Sequence, residues 1–513
     1  MEPARSSTRY RLAGLATVGV FALAGCSAST SGDAATDAEP TALTIAAQSG
    51  PNSLDPAQLS NGQQMFVWTS VLDTLLARDP ATGDIVPNAA EAWEYNDDGT
   101  VLTLTLREGM TFSDDTPVDA EAVAATMNRT RETPGQVQPK FSQVTDVAAT
   151  GDLEVEVRFD RFDPQFVPNL AYGVGAIGHP DTLDDERTAT DPIGSGPYTL
   201  SVENSVDGST YVLEKRDDYW NADAIEADTF TVQVMQDPTA AFNALQSGEV
   251  DAAGVQAQML SQLPESGFTF STTDATGVML LDLIGRGGDG WPALQDERVR
   301  QAINYAFDRE SIVDSLLGGG GMPSAQVFNP DGDVYDASLD EMYPYDPDRG
   351  RELVEEAGFA GATFEIPSTY LSTAFEPTIS QAFEDVGLNV EWKSIPPQQV
   401  QSAVQSGDYG IVFQVSGFSS DPEEAFSRYA IGGYGNPLGY TDPTLDSLFE
   451  TINSTVAFEE AVPTYQELNA YAMEQALVVP IAYTGTTWAA HDGITASTVG
   501  GLPPTISTFD LGG

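Results

Sequence analysis

Cysteine is almost missing from this chain: Cys26 is the only one in 513 residues. No intramolecular disulfide can form, so apolar cores alone must hold the folded body together. Histidine is nearly as scarce. His179 and His491 stand in unrelated contexts, which argues against a His-based triad or a zinc site. Lysine occurs three times, as Lys140, Lys215 and Lys393, and the 21 basic residues face 77 acidic ones for a net charge of −56. Such a field repels nucleic acid and anionic lipid, so neither is an expected direct partner. The acidity reads either as a solvated surface suited to salty or exposed surroundings, or as attraction for cationic ligands. Also missing are the G-x-x-x-x-G-K-[ST] phosphate loop, H-E-x-x-H, C-x-x-C, G-x-S-x-G and D-[ST]-G. No catalytic residue, metal site or cofactor is assigned on this basis, and an enzyme is the weaker class.

What is present is enough to build large cores. The chain is 41% hydrophobic, and its length calls for two or three substructures. At the N-terminus Arg5, Arg9 and Arg11 precede an apolar run from Leu12 to Leu23 that is too short to span a membrane as a mature helix. It ends in "LAGC", which resembles a bacterial lipobox. Residues 1–25 are therefore expected to be a lipoprotein signal peptide, with Cys26 lipidated and anchoring the protein to the membrane. Residues 26–40 are Ser/Ala/Asp-rich after the cysteine and read as a flexible tether. No later segment is long and apolar enough to cross a bilayer.

Strand and helix patterns then alternate, which places the body in the α/β class. "TVLTLTLREG" (100–109) and "DLEVEVRFD" (152–160) alternate as strands, and "QQMFVWTSVLDTLLA" (63–77) has helical periodicity. Helix starts carry a repeated Asp-Pro, at Asp237, Asp346 and Asp442, where Asp accepts from free first-turn amides and Pro loses no hydrogen bond. Asp119 is placed to cap "AEAVAATMNRT" in the same manner. "GFSSDPEEAF" (417–426) contains the same device, with Asp421 expected as N-cap and Glu424 at N3. "GSGPY" (194–198) reads as a structural turn.

Several motifs in fixed order resemble the extracytoplasmic solute-binding proteins of ABC transporters, in the peptide/nickel family that includes oligopeptide and dipeptide receptors. They are "NSLDPAQ" (52–58), the long stretch 85–123 with its proline before a tryptophan-bearing helix, "PIGSGPYTL" with "DDYW" (217–220), "ALQSGEVD" (244–251), "DERVRQAINYAFDRE" (296–310) and "AFSRYAIGGYGNPLGYTDPTLD" (425–446). The resemblance covers essentially all of 42–485. It implies a two-lobed periplasmic-binding-protein fold with a hinged ligand cleft. The first lobe would be 41–285 with an extra subdomain at about 85–190, the second 286–484, and 485–513 would return to the first. It also implies a monomer on the bacterial cell surface or in the periplasm, held by the lipid anchor, that captures a small solute, oligopeptides being the leading class, and delivers it to ABC permease subunits. A sugar, an opine or a nickel chelate is the alternative cargo, a sensor-coupled receptor an alternative role, and a surface hydrolase the rival class.

The resemblance also carries over ligand contacts. The loop after "SLDP" lines the cleft in the family, so Ser60, Asn61, Gly62 and Gln63 are candidates, with a plain surface turn as the other reading. Tyr172, Trp392 and Trp488 are candidate cleft walls, each otherwise a packing residue. The family's "G-W-x-x-D-x-x-D-P" stretch corresponds here to "GFSSDP", which gives Gly417, Phe418, Ser419 and Asp421. It is shorter, has Phe418 in place of tryptophan, and leaves the carboxylate that pairs with a peptide α-amine without a match. Its loop amides, at a helix start, would favour an anionic or polar group.

Overall fold

The computed structural model describes residues 41–264, 266–287, 290–396 and 399–512. The expected signal peptide, the tether and Cys26 lie outside the described residues. Among the described residues no helix is long and apolar enough to cross a membrane.

One nine-stranded mixed sheet runs through the molecule. Its order is Val412–Gly417, Phe268–Asp282, Val478–His491, Ala252–Val255, Ala42–Ala47, Thr229–Val234, Thr210–Lys215 and Tyr198–Leu200, with Gly321–Pro323 also paired to Val478–His491. Two long strands carry the sheet from one lobe to the other. The first half of Phe268–Asp282 pairs with the second half of Val478–His491 beside Ala252–Val255, in the first lobe. Its second half pairs with Val412–Gly417, in the second lobe.

The register breaks between Thr273 and Gly277, where two glycines let backbones approach closely. A Cβ on Gly277 would lie 2.3 Å from the Ser416 carbonyl oxygen, and one on Gly485 would lie 2.7 Å from that of Thr273. A ladder interrupted at the crossing has fewer hydrogen bonds to resist bending than the unbroken ladders beside it. The Thr273–Gly277 break lies where the two long strands pass from one part of the sheet to the other.

The first lobe adds a four-stranded antiparallel sheet, ordered Ala90–Tyr95, Val101–Leu106, Glu154–Phe159 and Val144–Ala149, with the helix Ala120–Glu132 packed on it. "VLTLTL" alternates as expected: Leu102, Leu104 and Leu106 are buried and the intervening residues half-buried. The second lobe packs helices such as Glu297–Tyr305 and Pro347–Ala357 around Val299, Ala302, Ile303 and Val354.

Asp119, Asp237, Asp346 and Asp442 all accept a first-turn amide as N-caps, and Gly248 and Gly358 end their helices in the left-handed conformation. The "GSGPY" turn is structural. Gly194 and Gly196 face the carbonyls of Val71 and Ser70 too closely for any side chain, and the Ser195 hydroxyl accepts from the Asp73 amide.

Three expectations change. The 63–77 segment is helical only over Met65–Val71, then turns into the strand Leu76–Arg78. Its residues are buried on nearly every side, so periodicity could not show where the helix stopped. Trp93 lies on the strand Ala90–Tyr95, not on a helix. Finally, Ser420 is the N-cap of the helix Asp421–Tyr429, its hydroxyl accepting from the Glu423 amide at 3.3 Å, so Asp421 is the first helical residue and Pro422 the second.

Candidate functional site

A cleft of about 590 Å³ opens between the two lobes. From the first-lobe side it is lined by Arg78 and Asp84 around the small hairpin 76–87, by Trp93, Tyr95 and Phe162, and by Gly500 of the C-terminal tail. From the second-lobe side come the loop 329–333, the turn Phe418–Ser420, the first turn of the Asp421–Tyr429 helix, and Phe458 and Tyr465 of the helix Phe458–Glu474.

The turn at 418–420 is set by the sheet. Gly417 is the last residue of its strand, paired with Gly277 at the crossing, and the Phe418 amide donates to the Thr276 carbonyl at 3.0 Å. Phe418 then meets Tyr483 edge-on at 5.4 Å, and Ser419 and Ser420 lead into the helix. Lobe-to-lobe contacts border the cleft. Arg78 Nη1 donates to the Ser419 carbonyl at 3.1 Å, Lys140 pairs with Glu423 at 2.5 Å, and Asn329 Nδ2 donates to the Gly500 carbonyl at 3.2 Å.

Burial has unusual consequences for the acids here. Asp421, 9% exposed, is pushed up to about 6, chiefly by burial, although the Val334 amide donates to it at 3.3 Å. Burial pushes Glu424 up to about 7, and the attraction of Arg428 offsets only part of that. Asp163, close to Lys140 and Glu423, is pushed up to about 6 by the same cause. Tyr465 is wholly buried, and its hydroxyl has no hydrogen-bond partner among the described residues. Among the described residues no three His, Cys, Asp or Glu side chains are grouped to hold a metal ion.

Of the residues singled out from the sequence, Phe418, Ser419 and Asp421 line this cleft. Gly417 stays in the sheet just behind it. Tyr172 is buried, its hydroxyl 3.5 Å from the Gly501 carbonyl oxygen, and with Asn61 it lines a separate depression of about 80 Å³. Ser60, Gly62 and Gln63 do not line the cleft. Ser60 donates to Asn52 Oδ1 while its carbonyl accepts from Trp68, Gly62 takes φ +91°, and Gln63 accepts from the Gln48 amide. They form a first-lobe turn.

Trp392 packs on the second-lobe core and donates to Ser380 at 2.9 Å. Trp488 sits edge-on to Phe66 at 5.8 Å and to Phe509 at 5.0 Å. Both tryptophans are outside the cleft, because each indole fills a core site of its own lobe. Sequence reasoning missed Arg78, Asp331, Glu424 and Tyr465. They come from four distant segments, and only Glu424 sat in a motif, where it read as a capping residue.

The chain matches the family model described as bacterial extracellular solute-binding proteins, family 5 Middle, over residues 84–437. It is 23% identical over 483 residues to the probable di/tripeptide-binding protein 5 of Pseudomonas aeruginosa, covering 86% of this chain and 90% of that one. It is 24% identical over 508 residues to the nickel-binding periplasmic protein of Escherichia coli K12, covering 90% and 92%. Among solved structures, the binding protein AgaA of A. tumefaciens R10 in complex with agropinic acid superposes with a TM-score of 0.75 at 20% identity, over 90% of this chain and 95% of that one. Helicobacter pylori DppA in complex with the peptide STSA gives 0.74 at 20% identity, over 90% and 96%.

Proposed function

The chain belongs to the bacterial extracellular solute-binding proteins, family 5, and from that membership we propose that it closes its lobes over one small solute and hands that solute to an ABC permease. It is a binding protein and not an enzyme. The observation that carries the reading is the cleft itself. It has the volume of a small-molecule site, polar and aromatic groups converge on it from both lobes, and among the described residues two long strands cross between them. Bending at the Thr273–Gly277 break opens and shuts it.

The lobes run 41–285 with the return 485–513, and 286–484. Cys26 carries a lipid that tethers a monomer to the outer face of a bacterial membrane. A small peptide is the leading class of cargo and a sugar, an opine or a nickel chelate the alternative, a reading supported by relatives named for di/tripeptides and nickel. Phe418, Ser419 and Asp421 touch the solute.

Isothermal titration of the mature chain against a panel of peptides and metabolites tests the proposal, with one-to-one binding expected. Failure of every small solute either to bind or to raise the melting temperature would remove it. Replacing Cys26 by Ser is expected to move the protein from the membrane to the soluble fraction.

A further inference from the structure

The charges lining the cleft are one-sided. Arg78 is the single cationic side chain among its described lining residues, against six carboxylates: Asp84, Asp331, Asp333, Asp421, Glu424 and Glu459. Arg78 already donates to the Ser419 carbonyl. The two deepest acids, Asp421 and Glu424, are 9% and 4% exposed, and among the described residues no cationic side chain bonds either. Arg428, one turn after Glu424, gives its hydrogen bond to Asp282 at 3.0 Å. An ionised carboxylate held out of water without a cationic partner is costly, and a cation seated against it offsets part of that cost.

Two independent features point to the same ligand chemistry. Tyr465 is among the lining residues, and its buried hydroxyl has no partner among the described residues, so a polar atom able to accept from a cationic N–H is left unmatched near the acids. The opposing wall presents Trp93, Tyr95 and Phe162, Phe458 stands 6.0 Å from Tyr465 on the acids' own side, and aromatic faces attract cations. The helix start does not favour an anion, because its own first turn holds Asp421, Glu423 and Glu424, whose negative charge already offsets the positive end of the helix dipole.

Resting on the reading of the protein as a solute receptor, we infer that the cargo carries a compact organic cation, an amine or guanidinium, seated between Glu424, Asp421 and Tyr465 and the aromatic wall. The cationic nitrogen donates to the Glu424 carboxylate and to the Tyr465 hydroxyl oxygen. Binding is then coupled to protons. The raised Asp421 and Glu424 carboxyls are drawn to the ionised form by the cation and release protons as it binds. The groups facing them are Asp333 from the 329–333 loop, Arg78 from the first lobe, Glu423 and Arg428 from their own helix, and Tyr465 from the helix behind, with Lys140 and Asp163 across the lobe contact at Glu423.

The test is a thermal-shift screen of the mature chain with matched cationic, neutral and anionic solutes, plus nickel chloride as a bare metal probe. Titration of the best binder, its N-acetylated counterpart and the Glu424→Gln and Tyr465→Phe variants follows. The expected hits are organic cations. N-acetylation and E424Q should each weaken binding at least about tenfold, Y465F about threefold to tenfold, and titration in two buffers of different ionisation heat should show proton release near pH 6.5. Hits confined to anions, neutral solutes or bare nickel would overturn the cationic assignment and leave the receptor reading intact. So would affinities unchanged within twofold on N-acetylation and in E424Q. Binding by no solute at all would overturn both.

Discussion

Asp282 and Glu424 are both buried carboxylates of the second lobe, both within the field of Arg428, and only one of them is paired. Asp282, wholly buried on the crossing strand, accepts from Arg428 Nη1 at 3.0 Å and from the Gln414 amide. Around it, Arg286 donates to the carbonyls of Leu283, Gly435, Leu477 and Arg428. Glu424, on the same helix as Arg428, faces the cleft with no such bond among the described side chains. The paired acid fixes the Asp421–Tyr429 helix to the strand that joins the lobes. The unpaired one lines the cleft with only part of its burial cost offset, by the field of Arg428. Equal burial therefore means opposite things, depending on whether the fold supplies the partner or leaves it to a ligand.

The comparison breaks most visibly in Arg428→Met. Asp282 would then be buried without its cation, and stability should fall by about 3–5 kcal/mol, read from the urea unfolding midpoint. Adding Asp282→Asn should recover part of that loss. An R428M variant as stable as the parent would show that the pair does not anchor the helix.

Glu424→Gln should behave oppositely. Without solute, at pH 8, it removes a charge that burial disfavours, and stability should hold or rise by about 1–3 kcal/mol. A clear drop in its unfolding midpoint would mean that the carboxylate is structural after all.

A pH series sharpens the contrast. The folded-state pKa of Glu424, about 7, lies above its ordinary 4.5. Between those values the folded chain binds more protons than the unfolded one, so this group's contribution to stability is largest at low pH and declines as pH rises toward 7. The parent should lose more stability than E424Q between pH 5 and 7.5, and bound solute should shrink that difference. Parallel curves for the two proteins would contradict the assigned shift.

The smallest effect concerns the cap. Ser420→Ala should cost about 1 kcal/mol, because Ser420 and not Asp421 satisfies the first-turn amide, and the melting temperature checks it.

How far the sequence could be read follows the same physics. Asp237, Asp346 and Asp442 announced their helices correctly, because a cap and the residue it satisfies lie within one turn. In "SSDPEEAF" two adjacent residues could both cap, and the local pattern chose the wrong one. The two-lobed α/β fold followed from motifs in their order along the chain. The cleft did not, since Arg78, Asp331, Glu424 and Tyr465 meet only after the sheet has brought distant segments together. Trp392 and Trp488 mark the converse case. An indole's size suits a core as well as a binding wall, and nothing in either tryptophan's neighbours distinguishes the two.

The most direct test of the account is to denature the purified, mature protein and identify by mass spectrometry what it releases. One small organic cation in near one-to-one amount, retained by the parent and lost from E424Q, is the predicted result. Release of an anionic or uncharged solute in the same amount from both proteins would contradict it.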